Sequence, residues 1–340
     1  MSLEQLAATA SAMVAPGKGI LAADESNATI RSRFDAIGVE NSPANRRDYR
    51  SFMFRTDPAM ADHISGVILF DETIRQHDVD GTPLVQYIKD RGSIPGIKVD
   101  QGPREMANFP GERVTDGLDG LRDRLRDYYA HGARFAKWRA VIDIDGKLVP
   151  TPGAVKANAH MLARYAALCQ EEGIVPIVEP EVLMDGANDI DRCFEVTEFV
   201  LKKTFQELFE MRVQLEGMVL KPNMVIAGKK SPVQASVEEV AEKTLTCLKI
   251  TVPSLVPGIA FLSGGQTDVQ ATAHLDAMNR LGGNPWKLTF SYGRALQAAA
   301  QKAWSGKPEN VAAAQAAFAK RARMNGLASK GEWTAELEAG

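Results

Sequence analysis

A lysine closes an apolar run in the stretch GMVLKPNMV, residues 217–225. Met218, Val219 and Leu220 lead into Lys221, and Pro222 and Asn223 follow at once. An ammonium group is costly to bury, and a buried lysine usually exploits a lowered pKa. Other apolar runs end on charge in the same way. GILAADES closes on Asp24, Glu25 and Ser26, and GIKVDQG carries Lys98 and Asp100. FAKWRAV carries Lys137 and Arg139, and VPIVEPEV carries Glu179 and Glu181. Within each of the last two pairs the spacing is two, so on a strand the pair shares one face. Such a set suits nucleophilic chemistry. Neighbouring cations depress a lysine's pKa and expose its amine toward a carbonyl. Carboxylates beside it can carry the protons of carbinolamine formation and dehydration. Two further stretches suit an anion: Ser263, Gly264 and Gly265, then Ser291, Gly293 and Arg294 at the start of a helical pattern. Glycine backbone N–H groups, a helix N-terminus and an arginine fork make a phosphate cradle.

The elements that must position these residues repeat along the chain. Eight short apolar runs, at 19–26, 66–73, 96–102, 135–141, 175–182, 217–224, 258–265 and 287–294, end in a charged or polar cluster. Apolar runs with little alternation predict parallel strands buried on both faces. Helical patterns lie between them. Leu118, Leu121, Leu125 and Tyr128 form one stripe. Thr151-Pro152 opens a helix over 154–172 that Gly173 stops. Ser236 and Glu239 stand at capping-box spacing. Eight strand–helix alternations predict an α/β fold, a (β/α)8 TIM barrel, with residues 1–340 as a single domain. Residues 305–340 read as an alanine-rich C-terminal helix and a polar tail that looks poorly anchored. A doubly wound sheet is the alternative, but its usual GxGxxG after the first strand is missing. In such a barrel the active site lies at the C-terminal ends of the strands. For any one charged strand end, solvation explains the charge as well as function does; for eight together it explains little.

Composition narrows the classes. The formal net charge of −3 gives no general attraction to nucleic acid or anionic membrane. No run is long and apolar enough to span a bilayer. Three cysteines, Cys169, Cys193 and Cys247, are widely spaced and fit buried thiols in a reducing, cytoplasmic compartment. ATASAMVAP near the start lacks a basic n-region and reads as a helix, not a signal peptide. The five histidines show no HxH or HExxH spacing, so no metal site or other cofactor is expected.

GILAADES, GVILFDET, PGIKVD, FAKWR, GIVPIVEPE, LKPNMV, FLSGGQ and LTFSYGRALQ, in this order, resemble the class I, Schiff-base fructose-1,6-bisphosphate aldolases over roughly residues 15–325. The resemblance implies reversible cleavage of fructose 1,6-bisphosphate to dihydroxyacetone phosphate and glyceraldehyde 3-phosphate. It implies that Lys221 forms the Schiff base and that Glu179 is the general acid/base for the carbinolamine. It implies that Asp24 handles the C4 hydroxyl proton, that Lys137 sits by the nucleophile, and that Glu181 and Arg139 are charged supports. Ser263, Gly264, Gly265, Ser291, Gly293 and Arg294 match the C1-phosphate site, and Ser26, Arg33 and Lys98 the C6-phosphate side. A homotetramer is also implied.

Two departures stand out. Ala28 and Thr29 replace the Gly and Ser of many relatives, which puts tight C6-phosphate contact in doubt. Many relatives end in a longer tail with a terminal tyrosine, whereas here no tyrosine follows Tyr292. A Schiff-base aldolase preferring another ketose bisphosphate, such as a seven-carbon one, would satisfy the same residues. A scaffold role on the same fold is the non-enzymatic alternative; the intact set of Lys221, Glu179 and Asp24 argues against a dead enzyme.

Overall fold

The computed structural model describes residues 2–339. Eight parallel strands close into a barrel: β1 (Gly19–Ala23), β2 (Ile64–Leu69), β3 (Ile94–Lys98), β4 (Phe135–Ile142), β5 (Val175–Val182), β6 (Val219–Leu220), β7 (Gly258–Phe261) and β8 (Lys287–Tyr292). Each strand pairs with its sequence neighbours, and β8 closes the ring against β1, with Ile20 opposite Ser291. The eight apolar runs predicted from sequence are these strands. A short antiparallel hairpin, Pro103–Glu105 with Arg113–Thr115, was not anticipated; its residues are largely exposed or half-buried and carry no apolar run to announce it.

Two-residue alternation divides each strand between helix-facing and barrel-facing side chains. Toward the N-terminal end the inward positions are apolar. Ile20, Ile68, Phe135, Val175, Ile177, Val219 and Ala260 pack with Leu6, Ala10, Met13 and Val14. The latter come from helix Leu3–Met13 and its C-cap, so that helix closes the bottom of the barrel. Phe135 explains a glycine pattern in the neighbouring strands. A Cβ on Gly96 would stand 2.2 Å from its ring, and one on Gly66 2.9 Å. Bulk supplied by one strand is accommodated by the absence of side chains on two others.

The helical signals mostly hold, with shifted boundaries. The stripe begins at Leu121, since Gly120 is left-handed (φ 64°) and starts helix Leu121–Ala130; Leu118 packs against the core from the preceding loop. Helix Pro152–Glu171 is capped by Thr151, which accepts the Ala154 N–H at 3.3 Å. Ser236 accepts the Glu239 N–H at 3.2 Å to start helix Val237–Thr251. Glu239 does not complete the capping box; its carboxylate lies toward Lys243, 3.9 Å away.

The C-terminal segment corrects an expectation. Helix Val311–Ala328 is followed by a tail that is pinned, not loose. Trp333 is buried, and its backbone N–H donates to Asp276 Oδ1 at 2.8 Å. Arg321 donates to both carboxylate oxygens of Glu338 at 2.7 and 2.6 Å. These partners lie on helices Asp268–Leu281 and Val311–Ala328, so local polarity could not reveal them.

Candidate active site

Lys221 is aimed by its backbone. Strand β6 is only two residues long, yet the Lys221 N–H donates to Val178 O of β5 at 2.8 Å. Pro222 has no N–H to give, and its carbonyl instead accepts the Leu262 N–H at 3.2 Å on the β7 side. Asn223 then takes over, accepting the Val182 N–H at 3.0 Å and donating to Thr197 Oγ1 and Met224 O at 3.1 Å. Stitched to both neighbours, the strand end holds a lysine that is 4% exposed.

Opposite charges alternate across the mouth. Lys221 Nζ lies 3.1 Å from Glu179 Oε1, and Glu179 Oε2 lies 3.3 Å from Lys137 Nζ. Lys137 Nζ reaches Asp24 Oδ2 at 2.7 Å, across the barrel from β4 to the end of β1. Asp100, whose side chain is 2% exposed, stands 4.0 Å from Lys137 and 3.4 Å from Lys98. It also accepts the Arg139 N–H at 3.3 Å. Arg139 is paired with Glu181.

Burial and these pairs act against each other. Burial favours the neutral form of Asp24, but Lys137, Lys221 and Lys98 outweigh it and hold the carboxyl well below its usual range. Burial likewise opposes ionised Glu179, and Lys137, Lys221 and Arg139 still lower its pKa, against a smaller push from Asp24. For Lys137 burial favours the neutral amine, yet Asp24, Glu179 and Asp100 push its pKa up. The idea that clustered cations depress every lysine therefore fails for Lys137, because carboxylates surround it. Its ammonium is locked on, and it is a poor nucleophile.

A cavity of ≈ 230 Å³ opens above this chain of charges. Its walls include every candidate residue from the sequence except Gly265: Asp24, Ser26, Arg33, Lys98, Lys137, Arg139, Glu179, Glu181, Lys221, Ser263, Gly264, Ser291, Gly293 and Arg294. Gly265 stands behind the wall. Its φ of +80° suits glycine, and a Cβ there would lie 2.2 Å from Met184 Cγ. It shapes the turn that presents Ser263 and Gly264. Ser291 is 1% exposed, and its hydroxyl has no hydrogen-bond partner among the described residues. Helix Arg294–Trp304 starts at Gly293 with no side chain capping its first turn. An orphan hydroxyl, an uncapped helix start and a nearby arginine suit a phosphate.

Ser26 caps helix Asn27–Asp35 through the Thr29 N–H at 3.4 Å, and its hydroxyl lies 3.1 Å from that of Thr29. Thr29 thus keeps its hydroxyl at the wall despite its extra methyl group. Arg33 is held by Glu25 and stands beside Gly293, so the two groups of anion-binding candidates adjoin, as β1 and β8 do. Leu262 lines the cavity without having been singled out; Glu25, read from the sequence only as one charge of a strand-end cluster, lines it too, and Asp100, read in the same way, pairs with Lys98 and Lys137.

This fold and mouth define a (β/α)8 barrel with a charged cavity at the C-terminal ends of its strands, the place where enzymes of this fold carry their active sites. The family model "Glycolytic: Fructose-bisphosphate aldolase class-I" matches residues 5–340. The chain belongs to the class-I fructose-bisphosphate aldolases, which are lyases. It is 60% identical over 334 residues to a probable fructose-bisphosphate aldolase class 1 of Xanthomonas campestris pv. campestris, covering 98% of this chain and 99% of that one. It is 53% identical to the cytoplasmic isozyme of fructose-bisphosphate aldolase from Spinacia oleracea, covering 97% and 92%. Among solved structures, the fructose-bisphosphate aldolase of Plasmodium falciparum, in a ternary complex with TRAP and a small-molecule inhibitor, superposes with a TM-score of 0.95. That comparison has 48% identity and covers 97% of this chain and 95% of the other.

Proposed function

We propose that Lys221 is the Schiff-base nucleophile through which this barrel cleaves fructose 1,6-bisphosphate. One observation carries the reading: Lys221, Glu179, Lys137 and Asp24 form an unbroken chain of contacts of 3.1, 3.3 and 2.7 Å at the floor of a basic cavity. The Lys221 amine passes a proton to Glu179 and adds to the C2 ketone. Glu179 returns a proton as water leaves the carbinolamine, giving a protonated imine. The imine accepts the electron pair of the C3–C4 bond, and Asp24 takes the C4 hydroxyl proton as the aldehyde departs. Reprotonation of the enamine at C3 and hydrolysis of the imine release dihydroxyacetone phosphate. Lys137 keeps both carboxylates ionised between these transfers, and Arg139 with Glu181 braces the wall.

Ser263, Gly264, Ser291, Gly293 and Arg294 hold the C1 phosphate on this reading, with Gly265 shaping their loop. Ser26, Arg33 and Lys98 meet the C6 phosphate. No metal or cofactor is invoked. Residues 1–340 act as one unit, in a homotetramer in the cytoplasm; the cytoplasmic spinach relative supports that compartment. The test is borohydride reduction in the presence of dihydroxyacetone phosphate, followed by peptide mapping. The expected result is irreversible inactivation with the adduct on Lys221. An adduct on Lys98 or Lys137 overturns the assignment.

A further inference from the structure

At the cavity wall and behind it, Arg33, Glu25 and Arg50 form a set of charges that takes no part in the proton transfers of cleavage. Arg33, at 20% side-chain exposure, is held by Glu25 Oε1. The other oxygen of that carboxylate, Glu25 Oε2, is buried and has no hydrogen-bond partner. Arg50 Nη2 stands 3.8 Å from it, beyond hydrogen-bonding reach, while donating to the Glu25 carbonyl at 3.0 Å. Arg50 is fully buried, and its Nε and Nη1 also lack partners. The neighbouring carboxylate, Glu72, is taken by two hydrogen bonds from Arg46 at 2.9 and 2.6 Å and lies 3.9 Å from Arg50. A buried guanidinium with two unpartnered nitrogens and a buried, unpartnered carboxylate oxygen thus stand side by side, about one ångström beyond hydrogen-bonding distance.

We propose that Arg50 is a second berth for Glu25, occupied when a phosphate takes Arg33. Glu25 neutralises Arg33, which stands at the cavity wall beside Gly293. An arriving phosphate dianion competes for the same guanidinium. If Glu25 had no other partner, displacing it would strand a buried carboxylate, and binding would be opposed by that cost. A shift of Glu25 toward Arg50 removes the penalty, because the two orphaned groups then satisfy each other. No proton or electron changes hands; three charged groups exchange partners. Arg50 is a positioning residue: it stays behind the wall and acts on phosphate affinity through Glu25. The inference rests on the reading that Arg33 meets the C6 phosphate.

The experiment compares fructose 1,6-bisphosphate with fructose 1-phosphate, which lacks the C6 phosphate. Arg50→Lys and Arg50→Met should raise KM for the bisphosphate by roughly tenfold, the scale of one charge-assisted contact, and by several-fold less for the monophosphate. Adding Glu25→Gln to Arg50→Met should restore bisphosphate KM, since no buried carboxylate then competes for Arg33. Equal KM losses for both substrates, or no rescue in the double variant, overturn the relay. Arg33→Ala separates the two levels. If it is selective for the bisphosphate and the Arg50 variants are not, only the relay falls; if Arg33→Ala is itself unselective, the phosphate role of Arg33 falls and takes the relay with it. A crystal structure of the wild-type protein with the bisphosphate trapped on it reads the geometry without any substitution. Glu25 should then hydrogen-bond Arg50 at about 2.8 Å and have released Arg33; Glu25 still on Arg33 refutes the proposal.

Discussion

Lys137 Nζ stands 2.7 Å from Asp24 Oδ2 and 3.3 Å from Glu179 Oε2, one ammonium bridging two carboxylates that come from opposite sides of the barrel. Burial alone would raise Asp24, and Lys137 is the largest influence that lowers it. Lys137→Met should therefore raise the Asp24 pKa and move the acid limb of the kcat/KM profile to higher pH, with Lys221 and Lys98 still opposing burial. The rate at the optimum should fall by about a hundredfold or more, as when a preorganised electrostatic group is lost. An unshifted acid limb would show that Asp24 is controlled elsewhere.

Ser291 and Arg294 should separate binding from stability. The Ser291 hydroxyl bonds to nothing among the described residues, so Ser291→Ala should leave the thermal midpoint nearly unchanged while weakening phosphate binding. Arg294→Ala should weaken bisphosphate binding by ~2–3 kcal/mol, with little effect on a substrate lacking the C1 phosphate. Titration calorimetry with both substrates checks this; equal losses would make Arg294 a brace for the helix it begins.

Trp333 should matter to stability before it matters to rate. Its ring is buried and its indole N–H donates to Glu338 Oε1 at 3.1 Å, so Trp333→Ala should cost about 3 kcal/mol or more in denaturant unfolding. Exchange of the C3 proton of dihydroxyacetone phosphate, measured well below the unfolding transition, should change by less than about tenfold, or ~1.4 kcal/mol. A selective loss of exchange with unchanged stability would bring the tail into the chemistry.

His274 should impose a pH dependence on stability. Burial lowers its pKa from 6.5 to about 4, against a weaker opposing pull from Glu238. Between those values the unfolded chain binds a proton that the folded chain refuses. Stability is thus fully present above pH 6.5 and falls as pH drops toward 4, by up to roughly 3 kcal/mol. His274→Asn should flatten that part of the urea-midpoint curve. Because His274 lies 2.6 Å from Gln266 Oε1, just beyond Gly265, phosphate affinity measured alongside shows whether the cradle shares the effect.

The barrel was legible because its information is local. Apolar runs of strand length, punctuated by glycine and separated by helical stripes, define a parallel sheet without reference to any distant contact. The site's composition was legible for the same reason. A strand run closing on Lys221 declares a charge at the strand's end, the pleat puts Glu179 and Glu181 on one face, and the ordered motifs added the family. Tertiary structure decided what those charges do to one another. Whether Lys137 is a second nucleophile or a locked cation depends on Asp24 and Asp100 standing within 4.0 Å, and those residues come from other strands. The tail was misread as loose because Trp333 finds its partner 57 residues back, on helix Asp268–Leu281, and Glu338 folds back onto Arg321 of the helix before it, contacts that no local pattern announces. The berth beside Glu25 exists only because helix Pro43–Phe54 delivers Arg50 behind the β1 loop. Coulomb and hydrogen-bond energies fall off over a few ångströms, so they are set by how the chain packs and not by the order of its residues.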